Sequence, residues 1–157
     1  MVAPGSYDDF QARLESVLPS STPQDVMAKV KTWQDAIDLI EAKASFGLLI
    51  YRKGDVYSAM KLAGHDWKCA YYFVGNFTVA EKAFAVHPSV FQFFPFPVCI
   101  WEGSDGRPRI AMGQPSSALA IFDDSTIAEV GREFDRRFGR LLQHLGCEVP
   151  DGLLETA

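Results

Sequence analysis

Thr126-Ile127-Ala128-Glu129-Val130-Gly131-Arg132-Glu133-Phe134-Asp135-Arg136-Arg137-Phe138-Gly139-Arg140-Leu141-Leu142-Gln143-His144-Leu145-Gly146 is the stretch around which the rest of the chain organises. Ile127, Val130, Phe134, Phe138, Leu141 and Leu145 recur at steps of three and four, which draws one apolar stripe along a helix of about five turns. Thr126 and Glu129 have the spacing of a capping box. Glu133 and Arg137 are placed to pair at i, i+4 on the wet side, and Gly146 suits the residue just past the helix end. A helix this long with one apolar face needs a partner surface, and a sheet with one apolar face supplies it.

The segments upstream read as that sheet. Val98–Glu102 and Arg109–Gly113 flank Gly103-Ser104-Asp105-Gly106, which has hairpin turn chemistry. Val90–Trp101 is the most apolar stretch, but Pro95 and Pro97 lack a backbone donor, so the chain must bend, bulge or run at an edge until about Val98. Cys69–Val74 and the apolar run Phe46–Tyr51 read as strands. Thr78 is placed to cap a helix through Val86 that ends at His87-Pro88, and Val56–Leu62 is a brief helical turn closed by Gly64. Thr32 caps a helix on which Trp33, Ile37, Ile40 and Ala44 share a face. Val26–Lys31 alternates weakly and is expected to be a first strand. Tyr7–Leu18 forms a short helix with Phe10, Leu14 and Val17 on one side, bracketed by Ser6 and Pro19. The expected architecture is α+β: an antiparallel sheet curled around a long C-terminal helix, in the order strand, helix, strands, helix. Residues 1–23 read as a helical extension and linker, 24–146 as the single domain, and 147–157 as a tail.

Composition bounds what such a domain does. A chain of 157 residues with 48% hydrophobic and 22% charged residues fits one ordinary globular domain. Twelve Phe, five Tyr and three Trp bring large apolar area that lines cores, pockets and interfaces alike. The net charge of −5 and the lack of a long basic stretch disfavour nucleic acid as a partner. No apolar run is long enough to span a bilayer, and the first residues lack the basic and apolar regions of a signal peptide, so a cytoplasmic location is expected. Cys69, Cys99 and Cys147 are odd in number and widely spaced, and they form neither a disulfide framework nor a paired zinc motif. No metal and no cofactor is expected.

Four segments give the chain its resemblance to a family: Phe46-Gly47-Leu48-Leu49 after an amphipathic helix; Tyr71-Tyr72-Phe73-Val74-Gly75-Asn76-Phe77-Thr78 before a short helix ending in His87-Pro88; Phe94-Pro95-Phe96-Pro97-Val98-Cys99-Ile100-Trp101-Glu102; and Asp105-Gly106 with Arg109-Ile110 and the last helix. Over Val26 to Leu145 the chain resembles the domain of unknown function 302 family. It departs from the family where many members carry Cys-Asn-Pro and Pro-Cys; here these stretches are Gly75-Asn76-Phe77 and Pro95-Phe96, and Cys99, three residues later, is no substitute. The resemblance implies a sheet wrapped on its C-terminal helix, similar to helix-grip folds that hold apolar ligands between sheet and helix, and it implies homodimers. It implies no reaction.

The residues that carry chemistry are few. His65 is a candidate general base, with Asp66 or Tyr71 as partner, although a loop anchored by Trp67 explains the same stretch. His87 suits a helix terminus, and His144 lies on the polar side of the last helix. Cys99 in an apolar strand reads as a small hydrophobe. Asp123-Asp124 suits a helix start better than an acid/base dyad. In a strand, Tyr71 and Tyr72 face opposite sides; whichever points inward needs a partner for its hydroxyl. With Tyr51, Trp101 and Met112 they line either a ligand cavity or a packed core. The expected function is therefore the binding of a small apolar or aromatic molecule between sheet and last helix. Two other readings stand beside it: a cofactor-free lyase, isomerase or cyclase using His65 and Tyr72 in that pocket, and a homodimeric module that buries Phe91–Phe96.

Overall fold

The computed structural model describes residues 1–153; the end of the expected tail, 154–157, lies outside the described residues. The elements in chain order are α1 (Tyr7–Val17), α2 (Pro23–Met27), α3 (Trp33–Lys43), β1 (Leu49–Gly54), α4 (Tyr57–Leu62), β2 (Cys69–Gly75), α5 (Phe77–Val86), a 3-10 turn (Pro88–Gln92), β3 (Phe96–Glu102), β4 (Pro108–Met112), α6 (Pro115–Leu119), a second 3-10 turn (Ala120–Phe122) and α7 (Ser125–His144). The strands form an antiparallel meander in the order β1-β2-β3-β4. The long helix and the antiparallel sheet are those expected.

One side of the sheet is the core. Tyr72, Val74, Phe96, Val98, Ile100 and Ile110 are buried there. The apolar stripe of α7 meets them, with the rings of Phe134 and Phe138 lying 5.1 and 6.1 Å from that of Phe96. The same core takes Phe10, Leu14 and Leu18 from the N-terminal segment. That segment also covers both sheet edges. Ala3 donates to the Pro108 carbonyl beside β4, while Pro19 and Ser21 bond Ile50 beside β1. An edge strand so covered no longer offers a free row of donors and acceptors. The opposite side carries Cys69, Tyr71, Phe73, Cys99 and Trp101, all half-buried, between exposed Pro97 and Ala111.

Several boundaries differ from expectation for identifiable reasons. Val26–Lys31 does not form a strand. Thr22 and Asp25 close a capping box around Pro23, and α2 begins there. The weak alternation at Val26 was outweighed by that start signal. At α7 the cap is Asp124, not Thr126: its carboxylate accepts from the backbone N–H of Thr126 and Ile127 at 2.8 and 3.0 Å. Glu129 is thereby released to bind Arg132 and Arg136. At α5 the cap is Asn76, whose Oδ1 accepts from the Thr78 N–H and hydroxyl. The proline-led segment bends through its 3-10 turn and a cis Phe94–Pro95 bond, and β3 starts at Phe96, two residues earlier than expected. No helix among the described residues is long and apolar enough to cross a membrane.

Candidate functional site

The β1–β2 ladder slips between Ile50 and Arg52, so Tyr51 occupies a bulge. A bulge re-aims a side chain, and here the ring leaves the sheet toward the start of α5. The Tyr51 hydroxyl accepts the Phe77 N–H at 2.7 Å, satisfying one of the orphan donors of the helix. Among the described residues nothing accepts the Tyr51 proton itself. Burial raises the pKa of this phenol well above its ordinary value, against the opposing effect of the Phe77 N–H, so it remains a neutral donor.

Tyr51 and Phe77, the two partners of that bond, both border an apolar cavity of about 160 Å³. Phe77, Ala80, Phe91, Phe94, Pro95 and Pro23 enclose it, with Gly75 as floor. A Cβ at Gly75 would come 3.3 Å from the Pro95 Cβ and 3.7 Å from Tyr51 Cε2, so glycine leaves that floor open. The neighbouring Asn76 is 4% exposed. Its amide is spent on structure: Nδ2 donates to the Gly47 carbonyl at 3.0 Å while Oδ1 caps α5. The cavity continues into a shallow groove along Thr22, Gln24, Arg52 and Phe73. No carboxylate, imidazole, ammonium or thiol lines the enclosed part.

The other residues singled out in the sequence lie apart from it. Tyr72 points into the core with 0% exposure. Its hydroxyl donates to Glu15 at 2.7 Å and accepts from Gln11 at 3.0 Å, so it has no bond to spare. Burial first, and the Glu15 carboxylate second, push its pKa well up. Glu15 also takes Lys53 at 2.6 Å. Tyr71 lies on the opposite side of the sheet with its ring over Gly54. Trp101 is on that side too, across from Cys69, whereas Met112 faces inward across from Val98. His65 is exposed in the loop after α4, and Asp66 serves the Tyr57 hydroxyl at 2.6 Å. Only Tyr51 of the six borders the apolar cavity. The interval between sheet and α7, where a ligand was expected, is filled by Tyr72, Val74, Phe96, Val98, Phe134 and Phe138. The wall residues Phe91 and Phe94 belong to the aromatic run that the sequence assigned to a dimer edge.

Two polar clefts lie elsewhere on the surface. One, between α3, α5 and α7, is closed on itself by Glu129, Glu133, Arg136 and Arg137. The other lies beside α1 and α4, where Lys68 pairs with Asp8 at 2.8 Å and Lys53 with Glu15.

A family model, domain of unknown function DUF302, matches residues 25–145. The chain belongs to the DUF302 family. The crystal structure of an uncharacterised conserved DUF302 protein from Bacillus stearothermophilus aligns over 92% of this chain and 93% of that one, with a TM-score of 0.65 at 16% identity. This likeness shows a shared fold. Comparison with curated proteins finds no match. Gly75, Asn76, Phe77 and Pro95, all within the matched residues, line the Tyr51 cavity.

Proposed function

We propose that this DUF302 protein binds a small ring compound carrying a hydrogen-bond acceptor, with the ring in the Tyr51 cavity and the acceptor on the Tyr51 hydroxyl. The observation that carries this is the single uncommitted donor in an otherwise apolar enclosure. An apolar cavity of about 150 Å³ is large enough for benzene, so 160 Å³ takes one ring and not a drug-sized molecule. Substituents run out along the groove past Arg52 and Phe73. The lining favours binding over catalysis. Tyr51 supplies a proton donor, but an isomerase or lyase also needs a base within reach of the same ligand, and no basic side chain lines the enclosure.

At about 0.7 kcal/mol per heavy atom, a nine-atom ligand binds with Kd near 0.02 mM, within the range small ligands reach. The test compares acetophenone, which has a carbonyl, with ethylbenzene, which does not, by chemical-shift titration of the wild type and of Tyr51→Phe. The hydroxyl's contribution is worth about three- to tenfold. Acetophenone should weaken by that factor in the variant while ethylbenzene is unchanged. Equal loss for both compounds, or no saturable shift at Phe77 and Ala80 with either, refutes the reading.

A further inference from the structure

The sheet side turned away from the core carries two thiols in contact. Cys69 Sγ and Cys99 Sγ lie 3.7 Å apart. They come from neighbouring strands but are not opposite each other: Cys69 faces Trp101, and Cys99 faces Tyr71. The pair is therefore a diagonal one, and this decides its chemistry. Diagonal residues of an antiparallel ladder have Cα atoms about 7–8 Å apart. A disulfide needs them within about 6.8 Å, or the backbone must move. The two sulfurs touch, and a diagonal pair of this ordinary spacing has its Cα atoms beyond the reach of an S–S bond. An ion bridging the sulfurs has no such difficulty. At about 2.3 Å from each sulfur it sees the 3.7 Å pair at an angle of about 107°, and small rotations of the two half-buried side chains open that angle further.

Coordination number selects the ion. Among the described residues no group of three or more His, Cys, Asp or Glu side chains converges anywhere, so no third side chain of those types joins the two sulfurs. Structural zinc takes four protein ligands, iron–sulfur clusters take four, and calcium and magnesium take oxygen. A soft closed-shell cation that accepts two thiolates is what remains, and copper(I) is the first-row metal of that kind. Both thiols are within reach of solvent, since Cys69 and Cys99 are half-buried and Cys69 also borders the cleft beside Tyr7 and Lys68. Cys147 is buried elsewhere, against the last helix. We propose that Cys69 and Cys99 form a two-thiolate site for copper(I) on the outer side of the sheet, built so that the same pair does not close to a disulfide. Binding releases the two thiol protons to solvent and leaves the copper oxidation state unchanged.

The test adds copper(I), as its acetonitrile complex, to the full chain without oxygen. It then reads native mass and the thiolate-to-copper absorption in the ultraviolet. One copper per chain is expected in the wild type and in Cys147→Ser, and none in Cys69→Ser or Cys99→Ser. Circular dichroism of each variant establishes that it is folded. Copper retained by either of those two folded variants, or no uptake by the wild type, overturns the site. A second measurement needs no variant. After treatment with diamide, a thiol-specific oxidant, the folded wild type should still show three free thiols, and a peptide linking Cys69 to Cys99 would overturn the geometric argument.

Discussion

Replacing Tyr72 by Phe asks whether this buried hydroxyl serves the fold or a reaction. The substitution deletes one oxygen from a site with 0% exposure and keeps the ring that packs against the core. It removes the bond to Glu15 at 2.7 Å and the bond from Gln11 at 3.0 Å. A hydrogen bond to a charged group is worth about 1.5–3 kcal/mol. The Glu15 side chain is 37% exposed and keeps Lys53, so solvent screening brings the expected loss down to about 1–2 kcal/mol. The loss should depend on pH. Burial works to raise the pKa of Glu15, but the bonds from Lys53 and Tyr72 outweigh it and hold the carboxyl below its ordinary value. A carboxyl depressed in the folded state stabilises fully above its unfolded-state pKa of about 4.3, and that contribution disappears as pH falls through the folded value. Tyr72→Phe removes one of the depressing bonds, so the variant has less to lose in acid. Urea unfolding of both proteins at about pH 7 and about pH 3 measures this: the gap between them should be about 1–2 kcal/mol at the higher pH and narrower at the lower. A gap that stays constant or widens in acid refutes the reading, and so does no gap at all.

Two further substitutions probe the frame around the Tyr51 cavity and the packing of α7. Gly131→Ala adds a Cβ that would lie 2.7 Å from the Ser116 Cα, and Asp135 holds α6 in place through the Ser116 N–H at 3.1 Å; the helix-propensity gain of about 1 kcal/mol should be outweighed by overpacking of about 1–3 kcal/mol, so the urea midpoint falls, and a rise would show that α6 slides freely. Asn76→Ala removes both the α5 cap and the bond to the Gly47 carbonyl, at a cost of about 2 kcal/mol, and it should also shift the Tyr51 ring resonances in a spectrum of the folded protein; an unchanged ring environment would mean that Tyr51 is placed without the α5 terminus.

The architecture was legible because it rests on periodicity. Six apolar residues at helical steps predict α7, and all six are buried. The hairpin at Gly103–Gly106 and the helix from Thr32 follow from equally local signals. Residues 1–23 show where local reading stops. Phe10, Leu14 and Leu18 join the central core, and nothing in their own spacing says which surface they cover. The hydroxyl partners of Tyr72 were out of reach for a similar reason. Alternation predicts that one of Tyr71 and Tyr72 turns inward, and Tyr72 does, but its partners Gln11 and Glu15 are 61 and 57 residues away. His65 and Asp66 are adjacent in sequence, but the Asp66 carboxylate accepts from the Tyr57 hydroxyl at 2.6 Å.

The Tyr51 cavity was the least legible feature, and the reason is physical. Several of its walls lie where regular structure breaks: the bulge at Tyr51 in β1, the glycine at the end of β2, the 3-10 turn before β3, and the first turn of α5. Hydrophobic periodicity describes elements that repeat, whereas this enclosure forms where four of them stop repeating at one point. The residues concerned read in sequence as strand ends and an aromatic run, and each has an ordinary explanation in isolation. Together they leave the Tyr51 hydroxyl, whose proton meets no acceptor among the described residues, beside apolar side chains. A packed core would have no use for such a donor, since an inward hydroxyl in a core finds an acceptor, as Tyr72 does with Glu15. The two tyrosines on adjacent strands thus differ in the one respect that a ligand would read: Tyr72 has its proton committed to Glu15, and the Tyr51 proton meets no acceptor among the described residues.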